Sequence, residues 1–145
     1  MVIITVENLQ KRIRLNPQRF INNLKKALRQ EGILSVHLSV VFITDPKIRQ
    51  LHKTYLKKDS ATDVLTFNFG PDLKQKKKGF LNGEIFISID TAIRNAKTHQ
   101  TSLVYEVTLY AVHGILHLLG YDDHSPKDIR EIRAKEDELM KLIKL

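Results

Sequence analysis

His113-Gly114-Ile115-Leu116-His117-Leu118-Leu119-Gly120-Tyr121-Asp122-Asp123-His124 is the stretch that decides how this chain folds and what it does. His113 and His117 are one helical turn apart, so on a helix both imidazoles lie on one face, ~6 Å along the axis. Two rings so placed reach a single ion at about 2.0–2.1 Å each, the bond length of zinc to histidine nitrogen. Gly120 suits a left-handed helix cap, which turns the chain back and carries Asp123 and His124 towards the same point. Two helical ligands and a third from the turn leave one position open, and an open position marks a catalytic metal. A His-x-x-x-His pair alone is more often packing or surface. Here an apolar helix, a glycine stop and two further donors follow one another closely, which favours metal.

Upstream, Leu103, Val104, Leu109, Val112, Leu116 and Leu119 make the same helix apolar on much of its circumference, so it is a buried central helix, capped by Thr101 or Ser102. Downstream, Ser125-Pro126 starts a last helix with Ile129, Ile132, Leu139 and Ile143 on one face. Residues 2–6 predict a buried strand, and Asn16-Pro17 opens a helix carrying Phe20, Ile21, Leu24 and Leu28 inward. Val36 to Ile43 is a second strand, and Thr44-Asp45-Pro46 caps a helix with Ile48, Leu51, His52 and Tyr55 at helical spacing. Asp63 to Phe69 and Glu84 to Ile89 are further strands, and Asp90 caps the helix that runs to about His99. Residues 70–83 read as a loop closed by Asn82-Gly83, with Lys74, Lys76, Lys77 and Lys78 crowded in its middle. His37 and His52 read as ordinary histidines. The sum is an α+β domain over residues 1–145: a small mixed sheet of about four strands packed with about five helices, its strand order open.

The bulk composition is that of a soluble globular chain: 145 residues, 42% apolar and 28% charged. Lys and Arg outnumber Asp and Glu by 24 to 16, a net charge of +8, which suits a polyanionic partner such as nucleic acid. With no cysteine there is no thiolate zinc site, so His, Asp or Glu must hold any metal. No apolar run approaches a membrane span and the start carries no secretion signal, so a cytoplasmic protein is expected.

Peptide-cleaving zinc helices read His-Glu-x-x-His, the Glu serving as general base. Gly114 stands there instead. A helical glycine costs ~1 kcal/mol relative to alanine, which implies that substrate or a neighbouring strand approaches closely. A phosphodiester, bringing its own charge, uses lysines and a metal as electrophiles, so RNA or DNA is the better substrate.

The run from His113 to Asp122 resembles the signature of the bacterial YbeY family, metal-dependent endoribonucleases of rRNA maturation. Thr44-Asp45, the stretch from Tyr55 through Thr62-Asp63-Val64-Leu65-Thr66-Phe67, and Gly83 to Ser88 support it. The resemblance implies a zincin-like fold, one Zn2+ on three side chains and cleavage of single-stranded RNA. It also implies work in 16S rRNA 3′-end maturation and ribosome quality control, with the small ribosomal subunit as partner. Two positions depart from the family. The family reads Gly-Tyr-Asp-His where this chain has Asp122-Asp123-His124, so spacing makes Asp123 the third ligand and residue type makes it His124; Asp123 is preferred. After Tyr55 the family carries arginine where this chain has Leu56, followed by Lys57 and Lys58. His113 and His117 are therefore the expected catalytic ligands. Lys57, Lys58, Lys76 and Lys77 are the expected phosphate contacts. The rivals are a ribosome-assembly protein with a structural metal and, disfavoured by Gly114, a metalloprotease.

Overall fold

The apolar run Val40-Val41-Phe42-Ile43 sits in the middle of the sheet, where both faces are covered. Val36, Leu38, Val40 and Phe42 point into the main core, while Val41 and Ile43 point the other way into a smaller cluster with Ile48 and Leu65. The computed structural model describes residues 1–58, 60, 62–71, 79–143 and 145. Among these the order is β1 (Val2–Asn8), α1 (Pro17–Gln30), β2 (Ser35–Ile43), α2 (Asp45–Leu56), β3 (Val64–Asn68), β4 (Phe80–Ser88), α3 (Ile89–His99), α4 (Leu103–Leu118) and α5 (Pro126–Leu142). The sheet runs β1-β2-β4-β3, with β1, β2 and β4 parallel and β3 antiparallel to β4. Helix α4 crosses β3 and β4 on the main-core face and is covered in turn by α1, α3 and α5; α2 lies against β3 and β4. Among the described residues, no helix is long and apolar enough to cross a membrane.

The helix starts follow local chemistry. Asn16 accepts the Arg19 N–H at 3.2 Å with Pro17 at the first helical position, and Ser102 accepts the Tyr105 N–H at 3.0 Å. Three expectations need correction. Strand β1 is an edge whose one partner among the described residues is β2; only Ile4 along it is buried, and Val2 and Ile3 remain exposed. Ser88 rather than Asp90 caps α3, accepting the Thr91 N–H at 3.2 Å. The Asp90 carboxylate instead pairs with Arg12 and accepts the Asp45 N–H at 2.7 Å. Finally, β4 starts at Phe80, so Asn82-Gly83 lies inside a strand hydrogen-bonded on both sides. The middle of the expected loop, residues 72–78, lies outside the described residues.

Asp45 ties the start of α2 to that of α3. Its carboxylate accepts from Ser88 Oγ and, at 2.9 Å, from Thr91 Oγ1, and it pairs with Arg94 at 2.8 Å. Burial works to raise the pKa of this carboxyl, but the hydrogen bonds from Ser88, Arg94 and Thr91 outweigh it and hold the group below its ordinary range.

Two glycines let α4 lie close to the sheet. A Cβ on Gly83 would stand 2.8 Å from the Phe67 carbonyl oxygen and 2.9 Å from both Leu118 Cδ atoms. A Cβ on Gly114 would stand 2.9 Å from Ile85 Cδ1 and from Thr66 Cγ2. The neighbour that Gly114 serves is thus the sheet. The balance of two effects predicts the outcome of Gly114→Ala: helix propensity gains ~1 kcal/mol, while overpacking a dense core costs ~1–3 kcal/mol. With Ile85 fully buried, the second wins. The variant is expected to unfold at lower urea concentration, by up to about 2 kcal/mol. A raised midpoint would mean that the helix–sheet contact has slack.

Candidate metal centre

Helix α4 ends in a way that builds a site. The Gly120 N–H donates to the His117 carbonyl and the Tyr121 N–H to the Leu116 carbonyl, both at 3.0 Å, with Gly120 at φ 100°. This Schellman arrangement needs the left-handed conformation that glycine adopts without strain. Tyr121 is then anchored in the core at 6% exposure, and Asp122 and Asp123 stand in the turn before α5. Helix α5 opens on a capping box, in which Ser125 and Asp128 satisfy each other's backbone N–H groups. The turn is therefore held at both ends.

Within it, His113 Nε2 and His117 Nε2 are 2.9 Å apart, and Asp123 Oδ2 lies 3.5 Å from His117 Nε2 and 3.9 Å from His113 Nε2. Three donors bound to one zinc at about 2.0–2.1 Å with tetrahedral angles stand ~3.3 Å from one another. The three measured edges bracket that value, and the trio is the group of donor side chains placed to hold a metal ion among the described residues. Two nitrogens and a carboxylate oxygen also fit zinc chemically, a borderline ion at home with both. The structure does not bring His124 to this point: its side chain is 85% exposed and its Nε2 is 3.9 Å from Asp122 Oδ1.

The other sides of both rings are held. Glu136 on α5 accepts from His113 Nδ1, and His117 hydrogen-bonds the Tyr121 backbone. A proton on Nδ1 leaves the Nε2 lone pair of His113 facing the donor cluster, which is the usual way an outer carboxylate orients a ligating histidine. Burial opposes protonation of His113, but the Glu136 carboxylate more than offsets it, helped by Asp63 and Asp123, and holds the ring's pKa above its ordinary value. Burial and the neighbouring His113 push His117 below its ordinary value.

Two of the donors, His113 and Asp123, open on a cleft of about 330 Å³ whose walls also include Asp63, Tyr110, Arg133 and Glu136. Tyr110 is one turn before His113 on α4, and its hydroxyl accepts from Asn95 Nδ2 at 2.6 Å. Burial raises the pKa of this phenol to about 12, so it stays neutral. Glu136, Asp63, Tyr110 and Arg133 are absent from the residues expected from sequence. Glu136 had a signal: it interrupts the apolar stripe of α5 between Ile132 and Leu139, and a carboxylate on a core-facing stripe needs a partner. Tyr110 had the helical spacing from His113. Two of the expected phosphate contacts, Lys57 and Lys58, fall elsewhere. Lys57 and Lys58 are exposed beyond α2, Lys57 as its left-handed cap at φ 55°, and neither lines the cleft. Lys76 and Lys77 lie outside the described residues. Of the two histidines read as ordinary, His37 is exposed, and His52 is buried with Nδ1 2.9 Å from the Ser60 carbonyl.

Comparison with known proteins points the same way. The family model described as Endoribonuclease YbeY matches residues 5–144. A protein of that name from Amoebophilus asiaticus is 34% identical over 135 residues, covering 93% of this chain and 88% of that protein. Another from Aquifex aeolicus is 44% identical over 119 residues, covering 82% and 77% respectively. The chain spans about half the length of a third, from Anaeromyxobacter dehalogenans, at 43% identity over 108 residues (74% of this chain, 54% of that protein). The solution structure of a Thermotoga maritima protein matches 99% of this chain and 89% of its own with a TM-score of 0.66 at 26% identity.

Proposed function

The chain belongs to the endoribonuclease YbeY family, and from that premise we propose that it is a zinc-dependent endoribonuclease acting on single-stranded RNA, built as one domain over residues 1–145. The observation that carries the proposal is the convergence of His113 Nε2, His117 Nε2 and Asp123 Oδ2, with His113 and Asp123 lining an open cleft. When bound there, a divalent ion would supply Lewis-acid stabilisation of charge on the phosphate and a more acidic water. The chain does the rest. Glu136 keeps the His113 proton on Nδ1, and the Tyr121 backbone holds His117. Asp123 contributes a negative charge where a third imidazole would contribute none, so more of an ion's charge is neutralised by the protein. Tyr110 stands in the wall as a neutral hydroxyl.

Gly114 faces Ile85 and Thr66, so the position beside the first histidine has no room for the glutamate that peptide hydrolysis uses there. That disfavours the metalloprotease. The net charge of +8 suits a nucleic-acid substrate. The resemblance supports 16S rRNA 3′-end maturation and quality control on cytoplasmic ribosomes, with the small subunit as partner. The test uses labelled single-stranded RNA and the same sequence as a duplex, with chelator and with zinc restored. Cleavage of the single strand alone, lost on chelation and regained with zinc, is the expected result. Cleavage indifferent to chelator overturns the metal site; chelator-resistant binding without cleavage favours the assembly protein with a structural metal.

A further inference from the structure

We propose that Arg133 is the phosphate-gripping residue of the cleft, holding an RNA phosphate beside the metal donors; this rests on the endoribonuclease reading. The charge around the cleft motivates it. Its other described charged walls are carboxylates, Asp63, Asp123 and Glu136. These suit a cation and repel a phosphodiester, so an RNA backbone entering here needs positive charge supplied from the wall itself. Arg133 is the Lys or Arg among the described residues that line the cleft.

Its place on α5 makes it part of the same device. Arg133 is three residues before Glu136, hence on the neighbouring turn of the same helical side. Ile132, fully buried beside it, roots that turn in the core. The helix that holds the His113 proton through Glu136 thus also presents a guanidinium to the cleft. The other described cations are paired or line no part of the cleft. Lys135 is committed to Glu31 at 3.1 Å and Glu138 at 2.9 Å, Arg94 to Asp45 and Arg12 to Asp90. Arg133 makes no such pair with any described residue and is exposed. An exposed, uncommitted guanidinium in an acidic cleft is available to a ligand, and its planar fork offers two parallel N–H donors to a phosphate, which lysine cannot.

The test compares wild type with Arg133→Ala, Arg133→Lys and Arg130→Ala in zinc-loaded protein, measuring single-stranded RNA affinity against salt, kcat and KM, zinc content and thermal unfolding. Arg130, exposed on α5 and outside the cleft walls, is the control. Arg133→Ala is expected to lower kcat/KM by about 10- to 100-fold, the worth of one charged hydrogen-bonded contact. Its affinity should fall less steeply with salt, by about 0.7 in the log–log slope for one lost contact to a single strand. Arg133→Lys should recover the salt slope but not kcat. Zinc content and unfolding temperature should stay at wild-type values, as should every property of Arg130→Ala. An unchanged kcat/KM and slope in Arg133→Ala, with chelator-sensitive cleavage by wild type, overturns the assignment alone. A drop in zinc content or unfolding temperature that accounts for the loss makes Arg133 structural and overturns it too. Wild-type protein that fails to cut RNA sinks the endoribonuclease proposal itself, and the role of Arg133 with it.

Discussion

His117→Ala should leave the protein folded, strip it of its capacity to hold zinc, and reduce RNA cleavage to background. The two imidazole Nε2 atoms and Asp123 Oδ2 are the cluster's donors, and removing one leaves two. Structural zinc sites bind with ~10–16 kcal/mol over four ligands, so one ligand is worth about 3–4 kcal/mol, or about 10²–10³-fold in affinity. The fold loses little. The His117 side chain is 24% exposed and lies at the end of α4, its ring pressed against another ring that disfavours its charge. Alanine is also the better helix former, by a few tenths of a kcal/mol.

Two readouts separate these effects. Chelator competition should show the loss of affinity, and thermal unfolding with and without zinc should show that the ion no longer raises the midpoint. For wild type, zinc at 100 times Kd adds about 2.7 kcal/mol. His124→Ala is the internal contrast: an 85% exposed side chain outside the cluster should change affinity less than about twofold. Wild-type zinc affinity in His117→Ala would falsify the site, and a large loss in His124→Ala would move the third donor to that residue.

Much of this site was legible because its signals are local. The helical spacing of His113 and His117, the glycine stop at Gly120 and the cap at Ser125 each act within a few residues, and the structure shows all three in use. Spacing also placed Asp123, and not His124, beside the rings, since one residue along a turn redirects a side chain entirely. What escaped depends on distant neighbours. Asn82-Gly83 has the composition of a hairpin turn, yet Gly83 sits mid-strand because Leu118 of α4 lies over it. The order β1-β2-β4-β3 places the last strand between the second and third, a pairing that no local pattern encodes. Strand β1 has the composition of a buried strand but sits at the sheet edge. Glu136 meets His113 across 23 positions, through the packing of α5 on α4.

That long-range contact gives the second large effect. Glu136→Gln is expected to weaken zinc binding by about 10- to 100-fold, the usual toll of losing an outer carboxylate. Glutamine keeps the shape of the side chain and can still accept from His113 Nδ1, so the proton stays where it is and Nε2 still faces the cluster. What disappears is the negative charge, which raises the basicity of the ring and favours a cation beside it. Glu136→Ala goes further, because the Nδ1–H then has no partner in a site where Glu136 itself was only 15% exposed. An unmade buried hydrogen bond costs about 1–3 kcal/mol, so alanine should bind zinc more weakly than glutamine and should also destabilise the metal-free protein. The expected order of affinity is wild type, then glutamine, then alanine, with metal-free glutamine variant unfolding close to wild type. Saturating zinc should restore most of the cleavage lost in Glu136→Gln, because the substitution leaves all three donors in place. If excess zinc restores nothing while binding measures normal, Glu136 acts on the RNA and not through His113. If Gln and Ala behave alike, shape and not charge is what the carboxylate contributes, and the orientation of His113 must come from its packing on α4.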